Sequence, residues 1–268
     1  KNKPETIYKS RNHTAYTIDA DNSSLGSNNW VLNGRRTKNK VPILSNDPHL
    51  SLRLPSLWYL MHLQCPTMNV MGVTIPGAPG IIIGFNDDIS WGVTNGADDS
   101  MDWYDITFYD TKKNEYYYDN QWISTNKIIE EIQIKGEYTF YDTITYTHHG
   151  PVVWDHSYYQ KDLIAIKEKS GLALQWTAHN GTNEILSFYL LNKASNYDEF
   201  KQSLRTYDCP GQNFIYSDIH GNIAIFHAGK NPVKWTRQGM FVSDGSNSDY
   251  NWDTYIPFGH KASIKNPL

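Results

Sequence analysis

SNNWVLNGRRTKNKVPILSNDPHLSLRLPSLWYLMHL, residues 27–63, is the stretch that decides the fold. Its apolar runs, WVL, VPIL and LWYLMHL, are short and separated by Asn, Gly, Pro and Asp, which is the pattern of buried strands rather than of helices. NVMGVTI and GIIIGF continue it, so the region predicts the middle of a sheet. The residues before it have the opposite character. Residues 1–26 are polar, lack apolar periodicity and end in Asp-Asn-Ser-Ser-Leu-Gly, the composition of an exposed connector or propeptide tail. At the junction stands Gly26-Ser27, a flexible residue before a hydroxyl at the edge of the predicted sheet. A strained peptide bond there would be open to attack by its neighbour.

Further along, residues 103–153 alternate Thr, Tyr, Ile and Phe with polar residues, and Lys135-Gly136 between IQI and YTF predicts a hairpin turn. Helices are expected at about 183–193 and 197–205. The second is opened by Asn196 with Glu199 three positions on, a capping-box pattern, and carries Tyr197, Phe200 and Leu204 on one face. NFIYSD and NIAIFHA then flank a turn at His220-Gly221. Sheets with a helical layer make this an α+β protein, without internal repeats or low-complexity blocks.

Composition narrows the function. The net charge is −4 with both signs dispersed, which gives neither a basic stripe for nucleic acid nor a cationic amphipathic helix for a membrane surface, so a small or neutral partner is expected. The longest uncharged apolar stretch, Val70 to Phe85, is interrupted by Pro76 and Pro79 and does not read as a membrane span; no export signal opens the sequence. Two cysteines, Cys65 and Cys209, allow at most one disulfide and are read as two buried thiols. The 19 Tyr, nine Trp and nine Phe favour strands, and they also keep open a non-catalytic, carbohydrate-binding β domain that would expose Trp and Tyr on one sheet face.

A conventional serine-hydrolase signature is missing: there is no Gly-x-Ser-x-Gly elbow, and Ser246 in DGSNS has no triad setting. The order of the longer segments is more informative. Residues 27–63, followed by GVTIPGAPGIIIGFNDDISWGVTNGADDSMDWY (72–104), THHGPVV (147–153), LALQWTA (172–178) and NFIYSDIHGNIAIFHAGKNP (213–232), closely resemble the opening of the penicillin acylase catalytic chain, in one register over about residues 27–262.

That resemblance implies an N-terminal-nucleophile hydrolase with an αββα sandwich, made as a zymogen and matured by autocatalytic cleavage of Gly26-Ser27. Residues 1–26 are then a connector, and 27–268 the N-terminal part of the catalytic domain. The implied activity is hydrolysis of non-peptide linear amides in penicillin-like antibiotics, acyl-homoserine lactones or other small N-acyl substrates. Ser27 would attack the carbonyl, and its freed α-amine, with an ordinary pKa of about 7.7–8.0, would serve as base. The backbone N–H of Asn95 would be one oxyanion donor. His49, in SNDPHL, falls where relatives carry His or Gln close to the nucleophile. Leu50, Ile83 and Val93 fall where relatives line the acyl pocket. Asp99, the carbonyl of Met101, Asp102 and the carbonyl of Pro232 align with a structural calcium site, whose oxygen chemistry they match; no organic cofactor is implied.

Relatives place a second oxyanion donor and the remaining pocket and calcium ligands in segments beyond residues 1–268. The chain is therefore expected to be an inactive piece with Gly26-Ser27 uncleaved, partnered by the rest of its precursor. An extracellular or periplasmic location is implied by resemblance alone. His148, His149, His220 and His227 lack metal-ligand spacing and are read as structural.

Overall fold

A computed structural model describes residues 26–50, 54–156 and 167–267. β1 (Asn28–Leu32) and β2 (Ile43–Asp47) pair antiparallel as a two-stranded sheet of their own. β3 (Tyr59–Cys65), β4 (Met68–Thr74), β5 (Ile83–Asn86) and β6 (Ile89–Asn95) follow as an antiparallel meander. β7 (Met101–Thr107) leads to a small sheet of β8 (Glu115–Tyr118) and β9 (Gln121–Ser124), then to β10 (Asn126–Ile132), β11 (Phe140–Thr147), β12 (Gly150–Asp155) and β13 (Ser170–Trp176). Helices α1 (Glu184–Lys193) and α2 (Tyr197–Ser203) precede β14 (Gln212–Asp218), β15 (Ile223–Ala228), β16 (Ser243–Asp244) and β17 (Ser263–Lys265). The larger sheet has the order β17-β15-β14-β6-β5-β4-β3 and the other large one β10-β11-β12-β13-β7-β16.

The main core lies between the seven-stranded sheet and the two helices. Trp91, Phe214, Tyr216 and Phe226 from the strands meet Leu191, Phe200 and Leu204, all fully buried. Each contributes about 1.5–3 kcal/mol by leaving water. A second core of Tyr104, Ile106, Phe108, Tyr116 and Ala173 belongs to the six-stranded sheet. Asn192, buried near the end of α1, donates from Nδ2 to the Ile81 carbonyl and accepts from the Ile81 N–H, both at 2.7 Å, so the helix is fixed against the loop entering β5.

Both expected helices are present. The Asn196 carboxamide caps α2 by accepting from the N–H groups of Asp198 and Glu199 at 3.0 Å. Glu199 reaches back to the N–H of Ser195, one residue before the cap, at 2.8 Å, which completes the box one position early. The His220-Gly221 turn also forms, closed by Asp218 Oδ1, which accepts from the N–H groups of His220 and Asn222. At Lys135-Gly136 the connection is wider than a two-residue turn: β10 ends at Ile132 and β11 begins at Phe140, with Glu137 N–H bonded to the Ile134 carbonyl.

Three expectations need correction. WVL and the end of VPIL are not central strands; they form the separate β1–β2 pair, whose outward Trp30, Leu32 and Ile43 remain exposed because only one face is covered. LWYLMHL supplies an edge strand, β3. The thiols are not both buried: Cys65 is exposed and Cys209 half-buried, and both are free. Residues 1–25, most of the expected connector, lie outside the described residues.

His149 is buried, stacked on Tyr104 with centroids 3.8 Å apart, and its Nε2 meets the Gly245 carbonyl at 3.2 Å. Burial, with His148 alongside, pushes its pKa down to about 3 from 6.5. The folded ring is thus neutral where the unfolded ring takes a proton, so its contribution to stability is complete above about pH 6.5 and is lost as pH falls toward about 3. Thermal melts between about pH 7 and 4 should lose stability less steeply in His149→Phe than in the unsubstituted chain. The difference should reach on the order of 4 kcal/mol across the full window; equal slopes would remove His149 as the cause.

Candidate active site

Antiparallel register places Asn28 opposite Asp47, so Ser27, just before β1, lies beside the chain leaving β2 at Pro48 and His49. The His49 backbone N–H donates to Ser27 Oγ at 3.1 Å. It is the backbone of His49, not its ring, that holds the hydroxyl. The imidazole turns to Asp47, with Nε2 2.7 Å from Oδ2. The hydrogen bond to Asp47, then that to Gly26, then the Asp47 charge, raise the imidazole pKa above its usual 6.5. Asp47 is therefore a site residue that the sequence reading missed. Its spacing of two before His49 in SNDPH was visible, but an acceptor becomes a partner only once the strand end is in place.

Asn95 ends β6, opposite Gln212 of β14. Gly96 N–H bonds the Gly211 carbonyl at 2.8 Å, and alternation along an antiparallel ladder sends the Asn95 N–H the other way. On that side β5 pairs only with Ser90 and Trp91, so the sheet does not cover the end of β6. The Asn95 side chain is occupied locally, accepting from Ala97 N–H at 2.9 Å.

Ser27 and Asn95 line one cavity of about 310 Å³ together with Leu50, Ile83 and Val93, so five of the six expected catalytic and pocket residues meet there, while His49 is not part of its lining. Leu57, Trp58, Ile75, Phe188 and Tyr207 complete walls that are predominantly apolar and were not foreseen. They come from a loop, the β4–β5 connection, α1 and the segment before β14, which only the tertiary fold assembles. The Trp58 indole N–H is buried without a hydrogen-bond partner among the described residues.

The expected calcium residues are arranged differently from a calcium shell. Asp99 Oδ1 and Asp102 Oδ1 converge, but each accepts from the Lys234 ammonium at 2.8 Å, and Asp102 Oδ2 accepts from the Trp252 indole N–H at 2.6 Å. Among the described residues no group of three or more His, Cys, Asp or Glu could hold a metal. Calcium takes 6–8 oxygens, and the point between the two carboxylates is filled by a lysine, so these residues as arranged do not fit the ion. Among the described residues the exposed Trp30, Tyr59, Trp176 and Trp235 lie on β1, β3, β13 and a loop, while exposed Tyr109 and Trp122 pack edge to face with centroids 5.2 Å apart. No helix among the described residues is long and apolar enough to cross a membrane.

Antiparallel sheets with two helices packed on the larger one form an N-terminal-nucleophile hydrolase fold. The fold matches the thermostable penicillin G acylase from Alcaligenes faecalis with a TM-score of 0.76 at 24% identity, over 89% of this chain and 42% of that one. The chain belongs to the penicillin amidase family, whose model matches residues 2–268. It is 28% identical over 234 residues to the acyl-homoserine lactone acylase QuiP of Pseudomonas aeruginosa, covering 85% of this chain and 27% of that protein. To the penicillin G acylase of Escherichia coli it is 24% identical over 245 residues, covering 90% of this chain and 27% of that protein. It thus spans about a quarter of the length of these curated relatives.

Two measurements check the site. Proton NMR should find the His49 ring titrating above the ordinary histidine range, and Asp47→Asn should bring it down toward 6.5. At the acidic cluster, removing the ammonium in Lys234→Met leaves two adjacent carboxylates unneutralised, so this variant should melt lower than the parent and gain more from added calcium. An equal calcium response in both would show that Lys234 does not compete with the ion.

Proposed function

We propose that this chain carries the nucleophile of an acylase that hydrolyses linear amides with an apolar acyl group. The observation that carries the reading is that Ser27 Oγ, held by the His49 N–H, lines the same apolar cavity as Asn95. Membership of the penicillin amidase family and relatives named as acylases support the same chemistry.

In this reading Ser27 is first released. Its hydroxyl adds to the Gly26 carbonyl, the amide becomes an ester as the α-amine is freed, and water hydrolyses the ester. The His49 ring, paired with Asp47 and with its pKa raised in part by the Gly26 backbone, is suited to polarise that scissile carbonyl. The free amine then takes the Ser27 proton as the hydroxyl attacks a substrate carbonyl, and passes it to the substrate's departing amine, which leaves the acyl group as an ester on Ser27. The Asn95 N–H faces the developing oxyanion, the acyl chain occupies the space between Leu50, Ile83 and Val93, and water completes the cycle. Cavity size and aliphatic walls favour fatty or other apolar acyl groups over charged ones.

The test is to express the chain with whatever sequence flanks it in its gene and determine the new N-termini by sequencing and intact mass. Cleavage before Ser27 that vanishes in Ser27→Ala is the expected result, with amide hydrolysis falling by roughly 10³-fold or more. If Ser27→Ala is cut like the parent, or both stay whole, self-processing by Ser27 is wrong.

A further inference from the structure

Behind Asn95 lies a polar chain that the reaction as described does not use. The side chain of Asp98 is only 6% exposed, and its Oδ1 sits 2.7 Å from Nε2 of His227. The other ring nitrogen, Nδ1, is 2.9 Å from Asn213 Oδ1, and Asn213 Nδ2 donates to the Asn95 carbonyl at 3.3 Å. Asn213 is the direct cross-strand neighbour of both His227 on β15 and Thr94 on β6, so its carboxamide bridges two strands on one face of the sheet. The Asn213 carbonyl in turn accepts from Asn29 Nδ2 at 3.3 Å, two residues after Ser27.

The fold is shaped to admit this chain. A Cβ on Gly211 would stand 1.7 Å from Asp98 Oδ2 and one on Gly229 2.4 Å from it, so the carboxylate fills space that only glycines leave. Its Oδ2 is buried without a hydrogen-bond partner, which costs stability rather than adding to it. A buried carboxylate is in general a poor stabiliser compared with apolar packing, so its place here is better explained by geometry imposed on its neighbours. Both ring nitrogens of His227 face acceptors, the Asp98 carboxylate and the Asn213 oxygen. The Asn213 oxygen faces His227 Nδ1 and its nitrogen faces the Asn95 carbonyl, so the carboxamide spans the ring and the strand end.

We propose that Asp98, His227 and Asn213 are positioning residues that set the orientation of the Asn95 backbone at the cavity, through the bond from Asn213 Nδ2 to the Asn95 carbonyl. The significance for catalysis rests on the reading of the Asn95 N–H as an oxyanion donor; the coupling itself does not.

The experiment reads the Asn95 backbone amide by ¹H–¹⁵N NMR on the 268-residue chain, so it needs no turnover. Asp98→Asn should displace the Asn95 cross-peak. The same substitution in an Asn213→Ala background should leave that peak in place, because the link is already cut. A plain loss of packing would give the same displacement in both backgrounds, and that outcome, or no displacement in either, overturns the proposal. If Asp98→Asn does not fold, His227→Gln is compared in the same two backgrounds with the same criteria. Failure of Ser27 as nucleophile leaves this result untouched, so the two readings fall separately.

Discussion

The pairing of β6 with β14 is the constraint on which the rest depends. It joins residues 89–95 to residues 212–218, segments separated in the chain by five of the six strands of the other large sheet and by both helices. Trp91 and Val93 on one strand, and Phe214 and Tyr216 on the other, bury into the core that receives α1 and α2. The opposite face carries Asn213, and the ends of the two strands carry Asn95 and Gln212 at the cavity. One ladder therefore provides the hydrophobic attachment of the helices and the alignment of the polar groups. Its long sequence separation also makes it an expensive contact to form, since the loop must close before the buried residues contribute.

What could be read from the sequence follows the range of the forces involved. Asn196 caps α2 and the His220-Gly221 turn forms because the partners lie within four residues, so local pattern and local chemistry agree. Period-2 alternation located most strands. It could not assign them to sheets, and the β1–β2 pair was mistaken for part of the main one because its apolar residues are the same whether or not a second layer covers them. The candidate site divides in the same way. Ser27, Asn95 and the aliphatic walls were legible through resemblance and do meet in one cavity. The turn of the His49 ring toward Asp47, the Lys234 ammonium between Asp99 and Asp102, and the Asp98–His227–Asn213 chain were not, because each needs a partner fixed by register or by a distant loop.

The two acidic pairs show how neighbouring sequence positions are put to different uses. Asp98 points inward to His227 through a gap left by glycines, while Asp99, the next residue, is more than half exposed and meets a lysine with Asp102. A run of acidic residues in a sequence is one chemical signal, but the irregular connection between β6 and β7 distributes it to opposite environments. Composition alone could suggest a cation there; only the direction of each carboxylate decides which cation is met.

The short β1–β2 pair has a consequence of its own. Ser27 touches His49 only because Asn28 stands opposite Asp47. Displacing either strand by one residue would reverse the faces of Asn29, Trp30 and Val31 and carry the hydroxyl out of reach. Contact between those two residues is therefore a local record of correct assembly: any bond change that depended on it would be withheld from chains whose strands are misaligned.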